Sequence, residues 1–192
     1  MFAAAAAAAS SGTWITIPCK GCGATGECVH EPTGLEQSLD EMEFARSACS
    51  AAQNGDGERL RRCIERNPAC VHHDGVGGGS GYTPLHYAAR SGHTECIALL
   101  LQAKASVLAR TSGGATPLMR AAFTGHTGVI SQLLRAGAAL DVQDGDGDTA
   151  LHKAASQKHA AAFGVLKQAM DPAAMELRNR KGLAAHEVLE LT

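Results

Sequence analysis

Apolar side chains recur along the chain at the spacing of short amphipathic helices. Ile97, Leu100 and Leu101 stand at positions i, i+3 and i+4, which puts all three on one face of a helix. A pair of small side chains, Ala88 and Ala89, lies one short segment earlier and leaves little bulk at the surface of its helix. The pattern therefore predicts pairs of short helices that can pack closely.

The same pattern returns at a fixed interval. The segment GYTPLHYAAR from Gly81 recurs as GATPLMRAAF from Gly114 and as GDTALHKAAS from Gly147, 33 residues apart each time. A tandem period of this length is typical of a stacked array in which each unit packs mainly on its neighbours. Looser copies from Ser47 and from Lys181 flank the three clear ones, as expected for terminal units with one face toward water.

Each unit also carries signals for where its helices begin and end. Thr83 before Pro84 supplies a capping hydroxyl and then a proline at the first helical position, where its missing N–H costs nothing. Gly92 can adopt the left-handed conformation that ends a helix. We therefore expect each unit to fold as helix, tight turn, helix and loop.

The motif TPLH at residues 83–86, its variants TPLM and TALH, and the later Gly-His pairs resemble the ankyrin repeat family. The resemblance covers roughly residues 42–192 and implies an all-α ankyrin repeat solenoid of stacked helix-turn-helix units with β-turn fingers. About four to five repeats are expected, including degenerate caps. The predicted segments are a low-complexity disordered leader at 1–18, a Cys/His-containing segment at 19–34 and an ankyrin repeat domain at 35–192, with clear repeats at 81–113, 114–146 and 147–181 and caps at 42–80 and 182–192.

Parts of the chain depart from the repeat pattern. Lys158 stands where a turn glycine is expected, and the connection from Lys167 to Gly182 is two residues longer than its counterparts. These departures predict a distorted second turn and a bulged exit loop in the third repeat. The glycine-rich stretch from Gly75 to Gly81 is expected to be a mobile loop.

Composition and charge exclude several kinds of protein. The net charge is −2 and basic residues are not concentrated in any window, so nucleic acid is not expected as a partner. No apolar run reaches the roughly 20 residues that a membrane-spanning helix needs. The seven cysteines lack the spacing of a disulfide framework, which predicts reduced thiols and a cytoplasmic or nuclear protein. We also expect a monomer.

Histidine is abundant, yet the repeat accounts for it. The resemblance implies that His86 and His152 hydrogen-bond to the backbone of neighbouring loops and keep adjacent repeats in register. Met119 fills the equivalent place in the middle repeat. The histidines of the Gly-His pairs are interpreted as turn and packing residues. The sequence groups no nucleophile with a base, and we do not expect an enzyme.

The acidic run DGDGD at residues 144–148 imitates the first half of a calcium-binding loop. Thr149 replaces the glycine expected at position six, and Ala155 replaces the glutamate expected at position twelve. We interpret the run as the acidic tip of a finger between two repeats. It is therefore predicted to be a contact surface instead of a calcium site.

The resemblance implies that a partner protein binds along the concave face, through finger tips and the exposed ends of the first helices. Because Tyr and Arg are favoured at interfaces and an exposed Phe is otherwise wasteful, Tyr82, Arg90 and Phe123 are the preferred anchors, with packing on the neighbouring repeat as the alternative for Phe123. The mixture of side chains favours a polar or amphipathic segment of an unidentified partner. The candidate protein-binding residues are Ser80, Tyr82, Arg90, Ser112, Ala115, Phe123, Thr124, Asp146, Asp148, Ser156, Gln157, Arg178 and Arg180.

Four metal-capable side chains, Cys19, Cys22, Cys28 and His30, lie close together in the sequence. The Cys-x2-Cys pair suits a tetrahedral zinc ion, whereas Cys-x-His is an unusual second half. Three interpretations stay open: one structural zinc ion, incidental unordered thiols, or a redox pair. No cofactor is required by the array itself. The sequence thus indicates a non-enzymatic protein-binding scaffold or adaptor, with a zinc-dependent adaptor or thiol redox sensor as the alternative.

Overall fold

The computed structural model describes residues 47–72 and 80–191. In this part of the chain, regular structure is helical apart from one isolated β-bridge between Arg178 and Ala184. The prediction of an all-α array of short helices is confirmed. The helices are α1 (Ala48–Asn54), α2 (Gly57–Arg66), a 3-10 turn (Pro68–Val71), α3 (Pro84–Ser91), α4 (Thr94–Gln102), α5 (Pro117–Thr124), α6 (Thr127–Arg135), α7 (Ala150–Ser156), α8 (Ala160–Ala169), α9 (Pro172–Met175) and α10 (Ala185–Leu191).

The helices form two layers. An inner layer contains α1, α3, α5, α7 and α10 side by side, and an outer layer contains α2, α4, α6 and α8. The alanine pairs of the inner helices are fully buried, as at Ala88, Ala89, Ala121 and Ala122. Because alanine adds little volume, the inner helices contact one another more extensively than the outer helices do.

The apolar core lies between the two layers. Leu85 and Leu118 of the inner helices are buried, as are Ile97, Leu100 and Ile130 of the outer helices. Each such side chain contributes about 1.5–3 kcal/mol when fully removed from water. The core thus repeats from unit to unit, which explains why the apolar pattern recurs with the same period as the helices.

The predicted start signals lie where the inner helices begin. Thr83 caps α3, and its Oγ1 atom is 2.9 Å from Nδ1 of His86. Thr116 caps α5, and its Oγ1 atom accepts a hydrogen bond from the backbone N–H of Met119 at 3.4 Å. Pro84 is the first residue of α3. Caps of this kind contribute about 1 kcal/mol each, and the prediction of their positions is confirmed.

A glycine follows α1, α3 and α5, and the next repeat packs a histidine on each of these glycines. Gly92 has a φ of 83°, and a Cβ atom there would lie 2.7 Å from the ring of His126. The Nε2 atom of His126 donates to the carbonyl oxygen of Arg90 at 3.1 Å. Both the backbone angle and the lack of space therefore require glycine. The interpretation of the Gly-His pairs as turn and packing residues is confirmed.

The third repeat keeps this turn without a glycine. Lys158 has a φ of 56°, and its side chain is exposed, so it has the space that the glycines lack. The backbone N–H of His159 donates to Ala154 at 3.0 Å, as that of His126 does to Ala121 at 3.0 Å. The prediction of a distorted turn is wrong, because the change is confined to α7, which ends one residue earlier than its counterparts.

The loops between repeats form fingers that pair with one another. The backbone N–H of Ser112 donates to Ser80 at 2.9 Å, and that of Gly145 donates to Gly113 at 2.8 Å. Each finger turns at a glycine with φ between 66° and 77°, a region that favours glycine. The turn glycines are Gly81, Gly114, Gly147 and Gly182.

The connection that leaves the third repeat is longer than the others because it contains α9. The extra residues thus form a helical turn instead of a simple bulge, and the bridge from Arg178 to Ala184 then restores the finger. Residues 75–79 of the predicted mobile loop lie outside the described residues, as do the predicted segments 1–18 and 19–34.

Candidate protein-binding surface

The inner face is the surface formed by the exposed sides of the inner helices and by the fingers. Equivalent residues of successive repeats form rows across it, because the repeats stack in register. The row nearest the fingers holds Tyr87, Arg120, Lys153 and Val188. The row one helical turn farther on holds Arg90, Phe123, Ser156 and Leu191.

His86 joins the first clear repeat to the second. Its Nδ1 atom accepts from the backbone N–H of Thr83 at 3.2 Å, and its Nε2 atom donates to the carbonyl oxygen of Ala115 in the next finger at 3.1 Å. These partners require the neutral imidazole with its proton on Nε2. His152 makes the same contacts with Thr149 and Leu183. The structural interpretation of both histidines is confirmed.

Burial holds His86 in its neutral form. The side chain is fully enclosed, and this burial lowers its pKa to about 4, against the raising effect of the hydrogen bond to Ala115 and with the help of the nearby Arg120 charge. A proton on Nδ1 would also meet the N–H of Thr83. The imidazole is therefore a structural link and not a proton carrier at neutral pH.

Met119 occupies the histidine position at the junction of the second and third clear repeats. Its sulfur accepts only a weak hydrogen bond from the backbone N–H of Thr116, at 3.4 Å. A thioether has no proton to donate, so Met119 cannot bind the carbonyl oxygen of Asp148, which is the counterpart of Ala115. This junction consequently lacks the imidazole bond from an inner helix to the next finger that is present at the neighbouring junctions.

A cleft of about 240 Å³ opens at this junction on the inner face. Met119 and Ala115 belong to the second repeat and its finger, and Phe123 stands one turn farther along α5. Asp144 and Lys153 come from the third repeat and its finger. The lining residues are Gly113, Ala115, Met119, Arg120, Phe123, Asp144, Asp146 and Lys153.

Lys153 occupies the centre of the acidic run. Its Nζ atom lies 2.8 Å from Asp144 Oδ2 and 2.8 Å from Asp148 Oδ2. Asp144 Oδ1 also accepts the backbone N–H groups of Asp146 and Asp148, both at 2.9 Å, and Asn179 donates to Asp148. The carboxylates of Asp144, Asp146 and Asp148 lie close together, but two of them already hold an ammonium group. The run therefore presents less negative charge than its sequence suggests.

The proton affinities agree with this pairing. Partial burial opposes the charged forms of Lys153 and Asp144, but their mutual hydrogen bond and opposite charges outweigh it. The pKa of Lys153 is therefore raised, and the pKa of Asp144 is lowered. Asp146, which is exposed at the finger tip, is the member of the run that the structure leaves available to a partner.

Arg120 is the inner-face residue that sequence reasoning missed. Its guanidinium carbon lies 5.0 Å from the centre of the Tyr82 ring, which also contacts Tyr87 at a centroid distance of 5.3 Å. The Nε atom of Arg120 is enclosed and has no hydrogen-bond partner among the described residues. The signal was present in the sequence, because Arg120 stands 33 residues before Lys153 and 33 after Tyr87.

The structure distributes the predicted binding residues over three environments. Ala115 is 6% exposed and reaches the surface only at the cleft, so we correct its assignment as an open contact residue. The exposed residues are Arg90, Ser112, Phe123, Asp146, Gln157, Arg178 and Arg180. The partly buried residues are Ser80, Tyr82, Thr124, Asp148 and Ser156.

Arg178 is exposed but already engaged within its own repeat. Its guanidinium donates to the carbonyl oxygen of Gly182 and binds Glu187 at 3.0 Å. Glu187 in turn accepts the backbone N–H of Ala184 at 2.8 Å, which caps the start of α10. Arg110 makes the equivalent bond to Gly114 in an earlier finger. Arg178 therefore holds a finger in shape, and its contribution to partner binding stays a prediction.

The predicted metal ligands Cys19, Cys22, Cys28 and His30 lie outside the described residues. Within the described ranges, no disulfide joins the cysteines, which are Cys49, Cys63, Cys70 and Cys96. Among the described helices, none combines the length and the apolar character that crossing a membrane requires.

Comparisons with known proteins agree with this architecture. The family described as ankyrin repeats (3 copies) matches residues 48–144, slightly more than half of the chain. Ankyrin repeats commonly mediate protein-protein interaction and are generally non-enzymatic modules. The matched segment runs from the beginning of α1 to the start of the acidic finger, so it contains the junction that His86 closes and ends within the next one.

Individual relatives match shorter stretches. Ankyrin repeat domain-containing protein 39 of Homo sapiens is 40% identical over 91 residues, which cover 46% of this chain and 48% of that protein. The Bos taurus protein of the same name is 42% identical over 73 residues, covering 36% and 38%. The probable E3 ubiquitin-protein ligase XBOS32 of Oryza sativa subsp. japonica is 38% identical over 65 residues, covering 34% and 13%. This chain thus spans less than half the length of these relatives. From the family match and the repeated geometry, the chain belongs to the ankyrin repeat family.

Proposed function

We propose that the chain is a non-enzymatic scaffold that binds a partner protein through its inner face. The observation that carries this proposal is Phe123, whose side chain is 43% exposed on an inner helix. Phe is one of the side chains that are enriched at protein interfaces. Contact with a partner would remove that surface from water and so stabilise a complex.

The neighbours of Phe123 support the same function. Arg90, its counterpart in the preceding repeat, is exposed. Tyr82 is partly buried, with one side against Arg120, and presents its remaining surface near the fingers. Tyr and Arg are the residue types that most often anchor protein interfaces, together with other aromatics. The inner face therefore combines one apolar anchor with several polar ones.

The scaffold also keeps its binding residues in place before a partner arrives. His86, His126 and His159 each bind a backbone carbonyl of a neighbouring repeat. The fingers are joined by backbone hydrogen bonds. Because these links order the face in the free protein, binding costs less side-chain and loop entropy.

Affinity capture with the full chain tests this proposal. The variant Arg90→Ala/Phe123→Ala removes two inner-face side chains, and we expect it to lose the partner that the natural sequence retains. The matched control is Leu108→Ala/Arg135→Ala, which removes an exposed leucine and an exposed arginine outside the inner-face rows. Equal capture by all three proteins would refute binding through the inner face.

The Cys/His-containing segment remains a second candidate for the working part. Cys19, Cys22, Cys28 and His30 form a donor set that suits one structural zinc ion, and the same thiols could instead act as a redox sensor. The function would then be a zinc-dependent adaptor that the repeats position. Metal analysis of purified protein is expected to give about one zinc per chain, lost in Cys22→Ser. No bound metal, together with reactive thiols at these positions, would exclude the zinc adaptor.

A further inference from the structure

We infer that the cleft between the second and third clear repeats binds a partner segment through a carboxylate on Arg120 and an apolar side chain on Phe123. This inference rests on the proposed function, because it specifies the chemistry of the segment that the inner face binds. The partner is a protein segment that carries Asp or Glu close to an apolar residue. Arg120 and Phe123 both line the cleft.

Arg120 has no carboxylate partner among the residues that the structure describes. Its Nε atom is enclosed without a hydrogen-bond partner, and the salt bridges of the described residues do not include its guanidinium. Buried donors in folded proteins are nearly always paired. The Tyr82 ring supports one side of the guanidinium without accepting a hydrogen bond in its plane. A planar carboxylate placed in the cleft would supply acceptors that match the guanidinium fork.

Two of the three carboxylates of the acidic run are already paired within the chain. Asp144 and Asp148 both hold Lys153, each at 2.8 Å. Asp144 also accepts two backbone N–H groups, and Asp148 accepts the side-chain amide of Asn179. Their carboxylates are engaged within the third repeat, and the salt bridges of the described residues do not join Asp146 to Arg120, so the guanidinium is available to a carboxylate from a partner.

The floor of the cleft explains why the segment binds at this junction. Met119 stands where His86 and His152 span their junctions to the next finger. A methionine side chain is apolar and adapts its shape to a neighbour. Phe123 continues this apolar surface one helical turn farther along α5. A partner side chain next to the acidic residue can therefore pack on Phe123, beside the buried Met119.

Asp146 narrows the class of partner. Its carboxylate is exposed at the finger that lines the cleft opposite Arg120. A polyphosphate or a nucleic-acid backbone would be repelled there, whereas a segment with one acidic and one basic side chain satisfies both walls. The observations thus favour a protein segment with mixed charge over a polyanion.

Selection from a random peptide library displayed on phage provides the probe. The full chain and its Arg120→Glu variant are used in parallel as targets. We expect the natural sequence to enrich peptides with Asp or Glu beside an apolar residue. Charge reversal at Arg120 is expected to replace that preference with Lys or Arg. Enrichment of the same acidic peptides by both targets would overturn the inference.

One selected peptide is then measured by fluorescence polarisation against point variants of the full chain. Arg120→Gln and Phe123→Ala are each expected to weaken binding about tenfold or more. Arg135→Gln on the outer helix α6 is the matched control and is expected to bind like the natural sequence. Replacing the peptide's own Glu by Gln is expected to change its affinity for the Arg120→Gln variant little, because the Glu and Arg120 act as a pair. Additive losses would contradict the pairing.

The outcomes separate this inference from the proposed function. Peptides that lose affinity with Arg90→Ala or Phe123→Ala but not with Arg120→Gln would keep the inner face as the binding surface and overturn the Arg120 contact. Peptides insensitive to every inner-face variant, or no enrichment at all, would count against both. Circular dichroism and thermal unfolding of each variant show whether the helices are retained, so that a loss of binding is not a loss of fold.

Discussion

The first and second junctions between clear repeats are built on one plan but closed by different chemistry. At the first, His86 binds Thr83 in its own repeat and Ala115 in the next finger. At the second, Met119 stands in the same place and cannot make the second bond. A cleft opens there, and Lys153 of the third repeat pairs with Asp144 and Asp148 in the finger of the same repeat.

This difference shows that a repeat array can keep its fold while one contact between adjacent repeats changes. Alanine pairs, capping threonines and the Gly-His contacts hold both junctions together. The junction without the helix-to-finger imidazole bond keeps those contacts, and the cleft lies there on the inner face. Sites in such arrays can therefore arise where a repeated contact is missing, and the substitutions below change the two junctions in opposite directions.

The largest expected effect is acid sensitivity at the first junction. His86 has a pKa of about 4 in the fold against an ordinary value of 6.5, so the unfolded chain binds more protons between these values. The free energy of unfolding is therefore expected to decrease by up to about 3 kcal/mol as the pH falls from 6.5 toward 4. Urea denaturation of the natural sequence and of His86→Met over this range measures the loss. An identical pH dependence in both proteins would contradict it.

At neutral pH, His86→Met copies the second junction into the first. We expect the free energy of unfolding to fall by about 1–3 kcal/mol, because Thr83 and Ala115 lose a buried hydrogen-bond partner. Chemical denaturation checks this value. An unchanged free energy of unfolding in His86→Met would show that the imidazole link does not stabilise the array.

Lys153→Met tests the chemistry that replaces the link at the second junction. Removing the ammonium group leaves Asp144, whose side chain is only 7% exposed, without its counter-charge. We expect a loss of about 1–2 kcal/mol, limited because Asp144 keeps two backbone donors. Lys181→Met, which removes an exposed lysine, is the control in thermal unfolding. Equal melting temperatures for the two variants would indicate that the pairing contributes no stability.

The smallest expected change is a gain from Met119→His. An imidazole there can donate to the carbonyl oxygen of Asp148 and should add about 0.5–1.5 kcal/mol of stability. It should also close the floor of the cleft, so peptide binding should weaken while the fold becomes more stable. Denaturation and fluorescence polarisation on the same variant measure both effects. If Met119→His stabilises the fold without weakening peptide binding, peptide binding in the cleft does not depend on the absence of the imidazole bond.

The fold could be predicted from sequence because its signals are local and repeated. Thr83 and Pro84 mark a helix start within two residues, and the alanine pairs mark the inner layer. His86 and His152 were correctly interpreted because the resemblance supplied a partner that no local pattern shows. Lys158 was misjudged, since a side chain fits at this left-handed position only because the folded array leaves it exposed.

The candidate site could be predicted only in outline. The row that holds Arg120 is visible from the period, but its stacking on Tyr82 and its enclosed Nε atom depend on side-chain placement across two repeats. The acidic run was overestimated for the same reason. Lys153 lies on α7, and only the folded finger brings Asp144 and Asp148 to it. Neutralisation of this kind cannot be read from the spacing of the charges.

The most direct test of binding at the inner face is a map of where a bound peptide touches the chain. Backbone amide NMR spectra of the ¹⁵N-labelled full chain are recorded with and without a peptide selected on it. The predicted result is that the largest shifts cluster at Arg120, Phe123 and the finger around Asp146. Shifts confined to the outer helices α4, α6 and α8 would contradict it.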